Sequence, residues 1–270
     1  MRGLVCIHGF TGSPASFDPL VRSLARRGAV RFCRPTLLGH RPAAGAAARA
    51  YASRTTGCRR HAGGRLVADR FDAEVDRVAA LVVREGFAGA HLFGYSLGAR
   101  VALGLLARHP CLFAGATLIG VHPGLRSTLE RAARIGSDER WCRLLERRGL
   151  AAFLGAWEAQ PLFSSQRELE AAELTEQRRV RTSHSAEGLI RALRVLGLGQ
   201  MPDYRGALVT CPIRVRLIVG DRDEKFSALA RELARLAGQV ELDVVPGVGH
   251  NVLLEARAHV EDVLGGALAA

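Results

Sequence analysis

The chain has 270 residues, 48% of them hydrophobic, which is enough to bury one sizeable core, so one domain with an inserted subregion is expected. Its formal net charge of +12 could reflect nucleic acid, an anionic membrane surface or an anionic substrate as partner. Nearly all of this charge comes from arginines spread among acidic residues, and Lys225 is the only lysine. With 6% aromatic residues and without a basic segment that carries stacking side chains, the sequence argues against nucleic-acid binding.

The cysteines and the N-terminal residues bear on the compartment. Six cysteines are scattered without paired spacing, which favours free thiols in a reducing environment. Cys58 and His61 have a ligand-like gap but lack a second pair, so no metal site is predicted. The apolar run that ends at His8 is too short for a signal peptide or a membrane span. A cytoplasmic protein that does not bind membranes is therefore expected.

Predicted strands and helices alternate in the first half of the chain. Residues 3–7 form a short apolar run that ends at a glycine turn, which is typical of a buried strand. The following patterns predict, in order, a helix, a strand, a loop, an amphipathic helix, a strand, a helix and a strand, at 16–26, 29–33, 41–65, 69–84, 91–94, 97–108 and 114–121. This alternation predicts a mostly parallel sheet flanked by helices on both faces.

The alternation stops after the fourth predicted strand. Residues 123–200 carry only helical patterns, rich in arginine and glutamate, before a strand pattern returns at 213–220. An all-helical insertion between two strands is typical of a cap over the edge of the sheet. A helix at 226–236, a strand at 240–245 and a final helix from Asn251 follow. The predicted division is a core of residues 1–121 and 201–270 with a helical cap of residues 122–200.

A nucleophile motif follows the third predicted strand. Gly94-Tyr95-Ser96-Leu97-Gly98 fits G-x-S-x-G, in which a serine occupies a strained turn between strand and helix and the glycines let the backbone pass closely. Ser96 would then lie at a helix N-terminus, which favours developing negative charge. The backbone N–H of Leu97 is one predicted oxyanion donor. The N–H of Phe10, in the loop after the first strand, is the other.

A serine hydroxyl needs a base, and this architecture orders serine, aspartate and histidine along the chain. Asp221 and Asp223 follow the strand at 213–220, and His250 follows the strand at 240–245, on the same edge of the sheet as Ser96. His250 is therefore the predicted base, and either Asp223 or Asp221 orients its imidazole. Other histidines occupy loops or helix surfaces without such a context, namely His40, His61, His109 and His259.

Together these motifs resemble the α/β-hydrolase fold and, within it, the MenH family of menaquinone biosynthesis, the 2-succinyl-6-hydroxy-2,4-cyclohexadiene-1-carboxylate (SHCHC) synthases. The resemblance rests on IHGFTGS, GYSLGAR, HPGL, RAAR, WEAQPLF, GDRDEKF and VGHN, which run from Ile7 to Asn251. HPGL, W-x-x-Q-P-L-F and D-x-K-F are the more specific motifs, because they lie in the cap and in the aspartate loop, where relatives with other substrates differ.

The resemblance implies a pyruvate-eliminating lyase without a cofactor. Ser96, activated by His250 and Asp223, would remove a ring proton from a cyclohexene that carries several carboxylates, so that pyruvate leaves as an enol. The oxyanion hole would hold charge that develops on a carboxylate or enolate. Matching the family pattern selects Asp223, two residues before Lys225, and leaves Asp221 as its neighbour.

Cationic and aromatic residues would bind this substrate. Arg100 lies one helical turn beyond Ser96 on the same face, so its guanidinium can reach a carboxylate held over the serine. A cation without a partner in this apolar helix would be costly. The resemblance implies further substrate-binding residues, namely Arg134 in RAAR, Arg181 in VRTSHSAEGL, Tyr95 and Trp157.

Some features depart from the family pattern. The sequence starts at the strand that carries IHGFTG, so the two N-terminal strands usual in the fold are expected to be missing. After the second strand, RPTLLGHRP keeps Gly39-His40 but lacks the aspartate of the family loop, and residues 41–65 have no clear counterpart. These departures concern the sheet and the pocket rim more than the triad.

Two other functions stay open at the level of sequence. A serine hydrolase acting on an ester or carbon–carbon bond of an anionic metabolite would use the same triad. A basic protein on this fold could also bind acidic partners without catalysis, and its binding would weaken steeply with salt. The arginines and WEAQPLF favour the lyase, acting on a small anionic substrate. A monomer is expected.

Overall fold

The computed structural model describes residues 2–40 and 70–269. The predicted loop at 41–65, with Cys58 and His61, lies outside these residues. Six strands are present in the described ranges: β1 (Arg2–Ile7), β2 (Val30–Cys33), β3 (Ala90–Tyr95), β4 (Phe113–Ile119), β5 (Val215–Gly220) and β6 (Val240–Val245).

The six strands form one sheet in the order β2-β1-β3-β4-β5-β6, and every neighbouring pair is parallel. All carboxyl ends therefore meet at one edge of the sheet. Loops that follow β1, β3, β5 and β6 are brought together there. The predicted parallel sheet of the α/β-hydrolase fold is confirmed.

Helices surround the sheet. In chain order they are α1 (Asp18–Arg27), α2 (Phe71–Arg84), α3 (Leu97–Arg108), α4 (Thr128–Glu158), α5 (Ala171–Thr182), α6 (Ala186–Leu196), α7 (Arg205–Val209), α8 (Glu224–Leu236), α9 (Val252–Glu255) and α10 (Arg257–Ala269). None of the helices in the described ranges is long and apolar enough to cross a bilayer.

Helices cover both faces of the sheet. Because successive side chains of a strand point to opposite faces, neighbouring residues of one strand are buried in different clusters. In β1, Val5 and Ile7 pack into a cluster with α2, α3 and α8. Leu4 and Cys6 pack on the other face, against α1 and α10. All four side chains are fully buried, which explains why this strand is a continuous apolar run rather than an alternating one.

Between β4 and β5 the described chain is helical, as the sequence predicts. Ser127 caps α4 through a reciprocal capping box with Glu130, and the helix is interrupted at Gly149, where φ is 73°. The two parts of α4 pack with α6 around Cys142, Phe153 and other apolar side chains. These helices cover the carboxyl edge of the sheet. The exact limits of a cap domain stay a prediction.

The helical segment between β4 and β5 contacts the rest of the protein through a close approach of two backbone segments, at Gly39 and Gly188. Gly39, in the segment after β2, has a φ of 78°, and a Cβ atom there would overlap the carbonyl oxygen of Gly188 in α6. A Cβ atom at Gly188 would likewise overlap the carbonyl oxygen of Gly39. Glycine is therefore required on both sides of this junction.

Some element boundaries differ from the predicted ones. The helix expected from Phe226 begins at Glu224, because the side chain of Asp223 accepts a hydrogen bond from the N–H of Phe226 and caps the helix. The final helix is divided into α9 and α10 at Ala256. His40 lies in a loop as predicted, yet only 8% of it is exposed.

Candidate active site

Ser96 occupies a strained turn between β3 and α3. Its φ of 52° and ψ of −109° are uncommon for a residue with a side chain. The flanking glycines permit this turn, since a Cβ atom at Gly94 would lie 2.7 Å from the carbonyl oxygen of Gly98, and one at Gly98 would overlap the carbonyl of Ile7. The turn thus presents Ser96 at the first turn of α3, with β1 packed directly behind it.

We expect Gly98→Ala to lower the free energy of unfolding by about 1–3 kcal/mol, because backbone must move to admit the methyl group. Urea denaturation followed by circular dichroism measures this change. Gly155→Ala is the matched control, since within the described residues no atom beyond its chain neighbours and the backbone of its own helix lies within 4 Å of a Cβ there, and α4 is helical at this point. The control should gain up to about 1 kcal/mol. Equal stability of the two variants would contradict the proposed close packing.

Three predicted residues are in hydrogen-bond contact. The His250 Nε2 atom lies 3.0 Å from the Ser96 Oγ atom, and His250 Nδ1 lies 2.6 Å from Asp223 Oδ2. Asp223 and His250 are buried, at 7% and 3% exposure. An Nδ1–H that donates to the carboxylate leaves Nε2 to accept the serine proton. This arrangement can activate the hydroxyl of Ser96 as a base or as a nucleophile.

The two candidate aspartates have different contacts. Asp221 accepts a hydrogen bond from the N–H of Gly247 at 2.8 Å and is exposed, so it braces the loop that carries His250. Asp223 alone of the two contacts the imidazole. The geometry therefore agrees with the family pattern, which selects Asp223, and its orienting role stays a prediction.

Contacts on both sides hold the His250 ring. The carboxylate of Glu255 accepts hydrogen bonds from the N–H groups of Gly249 and Asn251, which flank the histidine, at 2.7 and 3.1 Å. The ring of Phe226 packs at 4.5 Å between centroids. A Cβ atom at Gly120 would lie 2.7 Å from the imidazole Cε1 atom, so glycine is needed there as well.

The loop from His8 to Gly12, here called the glycine loop, follows β1 and lies beside Ser96. The N–H of Gly12 donates to the carbonyl oxygen of Gly9 at 3.0 Å, and Thr11 has a φ of 62°. Phe10 lines the cavity described next, and Leu97 begins α3. The oxyanion roles of the Phe10 and Leu97 N–H groups stay a prediction.

A cavity of about 460 Å³ opens above Ser96 and His250, between the carboxyl edge of the sheet and the inserted helices. Its walls are both apolar and cationic. The predicted residues that line it are Ser96, His250, Phe10, Leu97, Tyr95, Arg100, Arg134, Trp157 and Arg181. Asp223 lies behind His250. The structure therefore brings the predicted triad and all predicted substrate-binding residues to one site.

Arg134 pairs with a buried carboxylate, and Arg100 lies close enough to feel the charge of both groups. Arg134 Nε donates to Asp138 Oδ1 at 2.8 Å, and Arg100 Nη1 donates to the carbonyl oxygen of Leu196 at 2.8 Å. Burial, and then repulsion from Arg134, lower the pKa of Arg100 to about 9, while Asp138 opposes this shift. Burial raises the pKa of Asp138. With Arg100 protonated, two guanidinium groups and one carboxylate leave a net positive charge at the wall.

Arg181 also lines the cavity and lies in α5. It is 6% exposed, and its Nη1 donates to Glu158 Oε1 at 3.0 Å. Its guanidinium carbon lies 5.4 Å from the centroid of the Phe163 ring. Burial lowers its pKa to about 10, so it stays charged near neutral pH. Arg178 also pairs with Glu158, which ties α5 to α4.

Aromatic side chains complete the wall. Trp157 packs against Phe10 and Phe153 at 5.1 and 5.5 Å between ring centroids. Its indole Nε1 is buried and has no hydrogen-bond partner within residues 2–40 and 70–269. Tyr95 packs beside His250, and burial raises the pKa of its phenol, so the hydroxyl is neutral. A ligand with an acceptor near Trp157 would satisfy a donor that is costly to leave unpaired.

Sequence reasoning assigned no role to two further residues that line the cavity. Lys225 lies in the first turn of α8, and its ammonium nitrogen is 5.8 Å from the centroid of the Phe226 ring. His122, in HPGL, accepts a hydrogen bond from the N–H of Gly124 at 3.2 Å, and burial lowers its pKa to about 3. Membership of HPGL and D-x-K-F was the available signal for both.

Comparison with known proteins agrees with this geometry. The model of the alpha/beta hydrolase family matches residues 4–262, and the chain belongs to this family. A putative SHCHC synthase of Bacillus subtilis is 31% identical over 255 residues, which cover 94% of this chain and 85% of that protein. An SHCHC synthase of Enterobacter sp. is 33% identical over 190 residues, 70% of each chain. Within the alpha/beta hydrolases, the chain thus belongs to the SHCHC synthase family.

Solved structures show the same fold. The structure of MenH from S. aureus has a TM-score of 0.84 at 24% identity and is matched over 99% of this chain and 93% of that one. A thermophilic esterase from Thermogutta terrifontis has a TM-score of 0.74 at 21% identity, over 100% and 90%. The fold is therefore shared by a MenH and by an esterase, and the lining of the cavity must separate such activities.

Proposed function

We propose that this protein is a lyase of menaquinone biosynthesis that eliminates pyruvate from a polycarboxylate cyclohexene intermediate (SEPHCHC) to form SHCHC. The observation that carries the proposal is the placement of Arg100, Arg134 and Arg181 around a serine, histidine and aspartate triad. Three arginines that line one cavity suit a small substrate with more than one carboxylate. The names of the relatives contain the proposed product, SHCHC.

The elimination needs a base and no water. His250 accepts the proton of the Ser96 hydroxyl, and the serine oxygen takes a proton from the ring carbon. The electrons of that C–H bond form a ring double bond while the C–O bond to the enolpyruvyl group breaks. The leaving enolate takes the proton from His250 by way of the serine and becomes pyruvate. Asp223 stabilises the imidazolium that forms on the way.

Negative charge that develops on the substrate during the reaction must be stabilised by hydrogen-bond donors that are already positioned. The N–H groups of Phe10 and Leu97 stabilise negative charge on the substrate carboxylate or enolate next to Ser96. Arg100, Arg134 and Arg181 bind the carboxylates of the substrate. Tyr95 and Trp157 hold the ring between them. No cofactor has a part in this scheme.

The expected reaction products separate this proposal from a serine hydrolase. Incubation of the purified protein with the intermediate should release pyruvate and SHCHC in a one-to-one ratio, and the masses of the two products should sum to the mass of the intermediate, because no water is consumed. Intact-mass spectrometry during turnover should find no covalent adduct on Ser96. Faster turnover of simple esters, with an acyl-serine adduct, would instead establish the hydrolase, which uses the same triad.

We also infer a cytoplasmic location, because Cys6, Cys33, Cys142 and Cys211 are buried free thiols and a reducing compartment suits them. A small anionic substrate is the proposed partner. The non-catalytic binding protein is disfavoured by the hydrogen-bonded triad beneath the cavity. The monomeric state stays a prediction from the sequence.

A further inference from the structure

Three buried histidine rings form a row from the core into the inserted helices. His8 follows β1, His40 follows β2, and His184 lies between α5 and α6. Ring centroids are 4.9 Å apart for His8 and His40 and 5.2 Å apart for His40 and His184. The three residues are at most 8% exposed. The triad uses none of them.

Two of these rings hold both backbone groups of Thr11. The N–H of Thr11 donates to His40 Nε2 at 3.3 Å, and its carbonyl oxygen lies 3.1 Å from His184 Nε2, which donates to it. Thr11 is 1% exposed and has a φ of 62°. A residue with a side chain in this conformation carries strain and needs the surroundings to fix it. A core histidine and a histidine of the insertion supply these contacts.

The preceding peptide group is fixed from the same direction. The carbonyl oxygen of Gly9 accepts hydrogen bonds from the N–H of Gly12 at 3.0 Å and from His8 Nδ1 at 2.9 Å. Since the C=O and N–H of a trans peptide point in opposite directions, fixing the Gly9 carbonyl also fixes the direction of the Phe10 N–H. The Phe10–Thr11 peptide then depends on His40, which accepts from the Thr11 N–H, and the Thr11–Gly12 peptide depends on His184, which donates to the Thr11 carbonyl oxygen.

Hydrogen bonds define the protonation state of His40. Its Nδ1 lies 3.0 Å from the carbonyl oxygen of Leu38 and must donate, so Nε2 is left to accept from Thr11. A second proton, on His40 Nε2, would point toward the N–H of Thr11 and break this hydrogen bond. Burial, with repulsion from His8 and His184, lowers the pKa of His40 well below its ordinary value. The ring is therefore a neutral acceptor near neutral pH.

From these contacts we infer that His40 and His184 are positioning residues that align the glycine loop for catalysis and make its alignment depend on the seating of the inserted helices. The inference rests on the proposed oxyanion role of the Phe10 N–H. His40 aligns the loop from the core, and His184 does so from the insertion. The Gly39 and Gly188 backbone contact places these two histidines within reach of the same residue.

His40→Phe and His40→Gln test this role as a pair. Phe keeps a ring against Phe10, whose centroid lies 5.7 Å from that of His40, but removes the acceptor. Gln can place its carbonyl oxygen near the position of Nε2 and restore it. His91→Phe and His91→Gln are matched controls, because His91 is a partly buried histidine that bonds Thr117 at the opposite end of the sheet.

We expect His40→Phe to lower kcat about tenfold to a hundredfold with KM within about threefold of wild type, because an oxyanion donor acts mainly in the transition state. His40→Gln should recover much of that loss. His184→Phe should lower kcat in the same way, and the His91 variants should not. Equal kcat losses in the His40 and His91 variants, or no rescue by Gln, would overturn the inference.

Amide hydrogen exchange at Thr11 provides a readout that does not depend on the substrate. In folded His40→Phe the Thr11 N–H should exchange at least about tenfold faster than in wild type, and His40→Gln should restore most of the protection. If wild type released no pyruvate, the proposed lyase function would fail, while the exchange at Thr11 would still decide the role of His40. Unchanged exchange in His40→Phe would refute that role.

Discussion

Ser96→Ala, Asp223→Asn and His250→Ala are each expected to lower kcat by at least about a hundredfold, the usual scale of positioned acid–base catalysis. The reason is the continuous hydrogen-bond path from Asp223 through His250 to the Ser96 hydroxyl, at 2.6 and 3.0 Å. Losses should not add in double variants, because the three groups act as a unit. Initial rates of pyruvate release, measured with a coupled dehydrogenase, provide the test.

Asp221→Asn is the matched control for this series. It removes a carboxylate from the same loop, but the amide oxygen can still accept from the Gly247 N–H that Asp221 binds at 2.8 Å. Its kcat should stay close to that of wild type. Wild-type turnover in folded Ser96→Ala would refute the mechanism, and a larger loss in Asp221→Asn than in Asp223→Asn would move the orienting role to Asp221.

Arg100→Met should lower kcat/KM by roughly thirty- to a thousandfold, which corresponds to about 2–4 kcal/mol for removing a charge-assisted hydrogen bond from a desolvated pocket. The fold should survive, since methionine keeps much of the apolar stem in an apolar helix. The observed bond to the Leu196 carbonyl engages one of five N–H donors. We infer that the others reach a carboxylate of the substrate.

Arg100→Lys should recover only part of this loss. A lysine lacks the forked geometry, and the burial that lowers the pKa of Arg100 would also disfavour the charged form of a lysine there. Arg108→Met is the control, because Arg108 lies on the same helix, is exposed and pairs with Asp76. A melting temperature that falls while kcat/KM of folded Arg100→Met stays normal would assign Arg100 a structural role instead.

Local patterns were sufficient to predict much of the site. Gly94 and Gly98 around Ser96 report a strained turn, and the order of Asp223 and His250 after two strands follows from the parallel sheet. Each of these sequence patterns extends over only a few residues next to a predicted strand. The pairing of Arg134 with Asp138, four residues apart in a helix, was also within reach of pattern reasoning.

Contacts between distant segments were not predictable in this way. The burial of His40 depends on Thr11 and His184, which come from another loop and from the insertion. The early start of α8 arises because Asp223 both caps that helix and bonds His250. A single sequence contains the residues of these contacts but not the distances between them.

The backbone contact of Gly39 with Gly188 limits how caps can be exchanged between relatives. A chimera that takes residues 122–200 from another hydrolase would need glycine at the point that meets Gly39, since any Cβ atom there would overlap a carbonyl oxygen. It would also need a donor four residues earlier, where His184 holds Thr11. If only the substrate-binding residues were transplanted, the pocket would be lined correctly but the glycine loop below it would be misaligned. A change of substrate specificity on this core therefore has to include the residues of the new cap that contact the glycine loop.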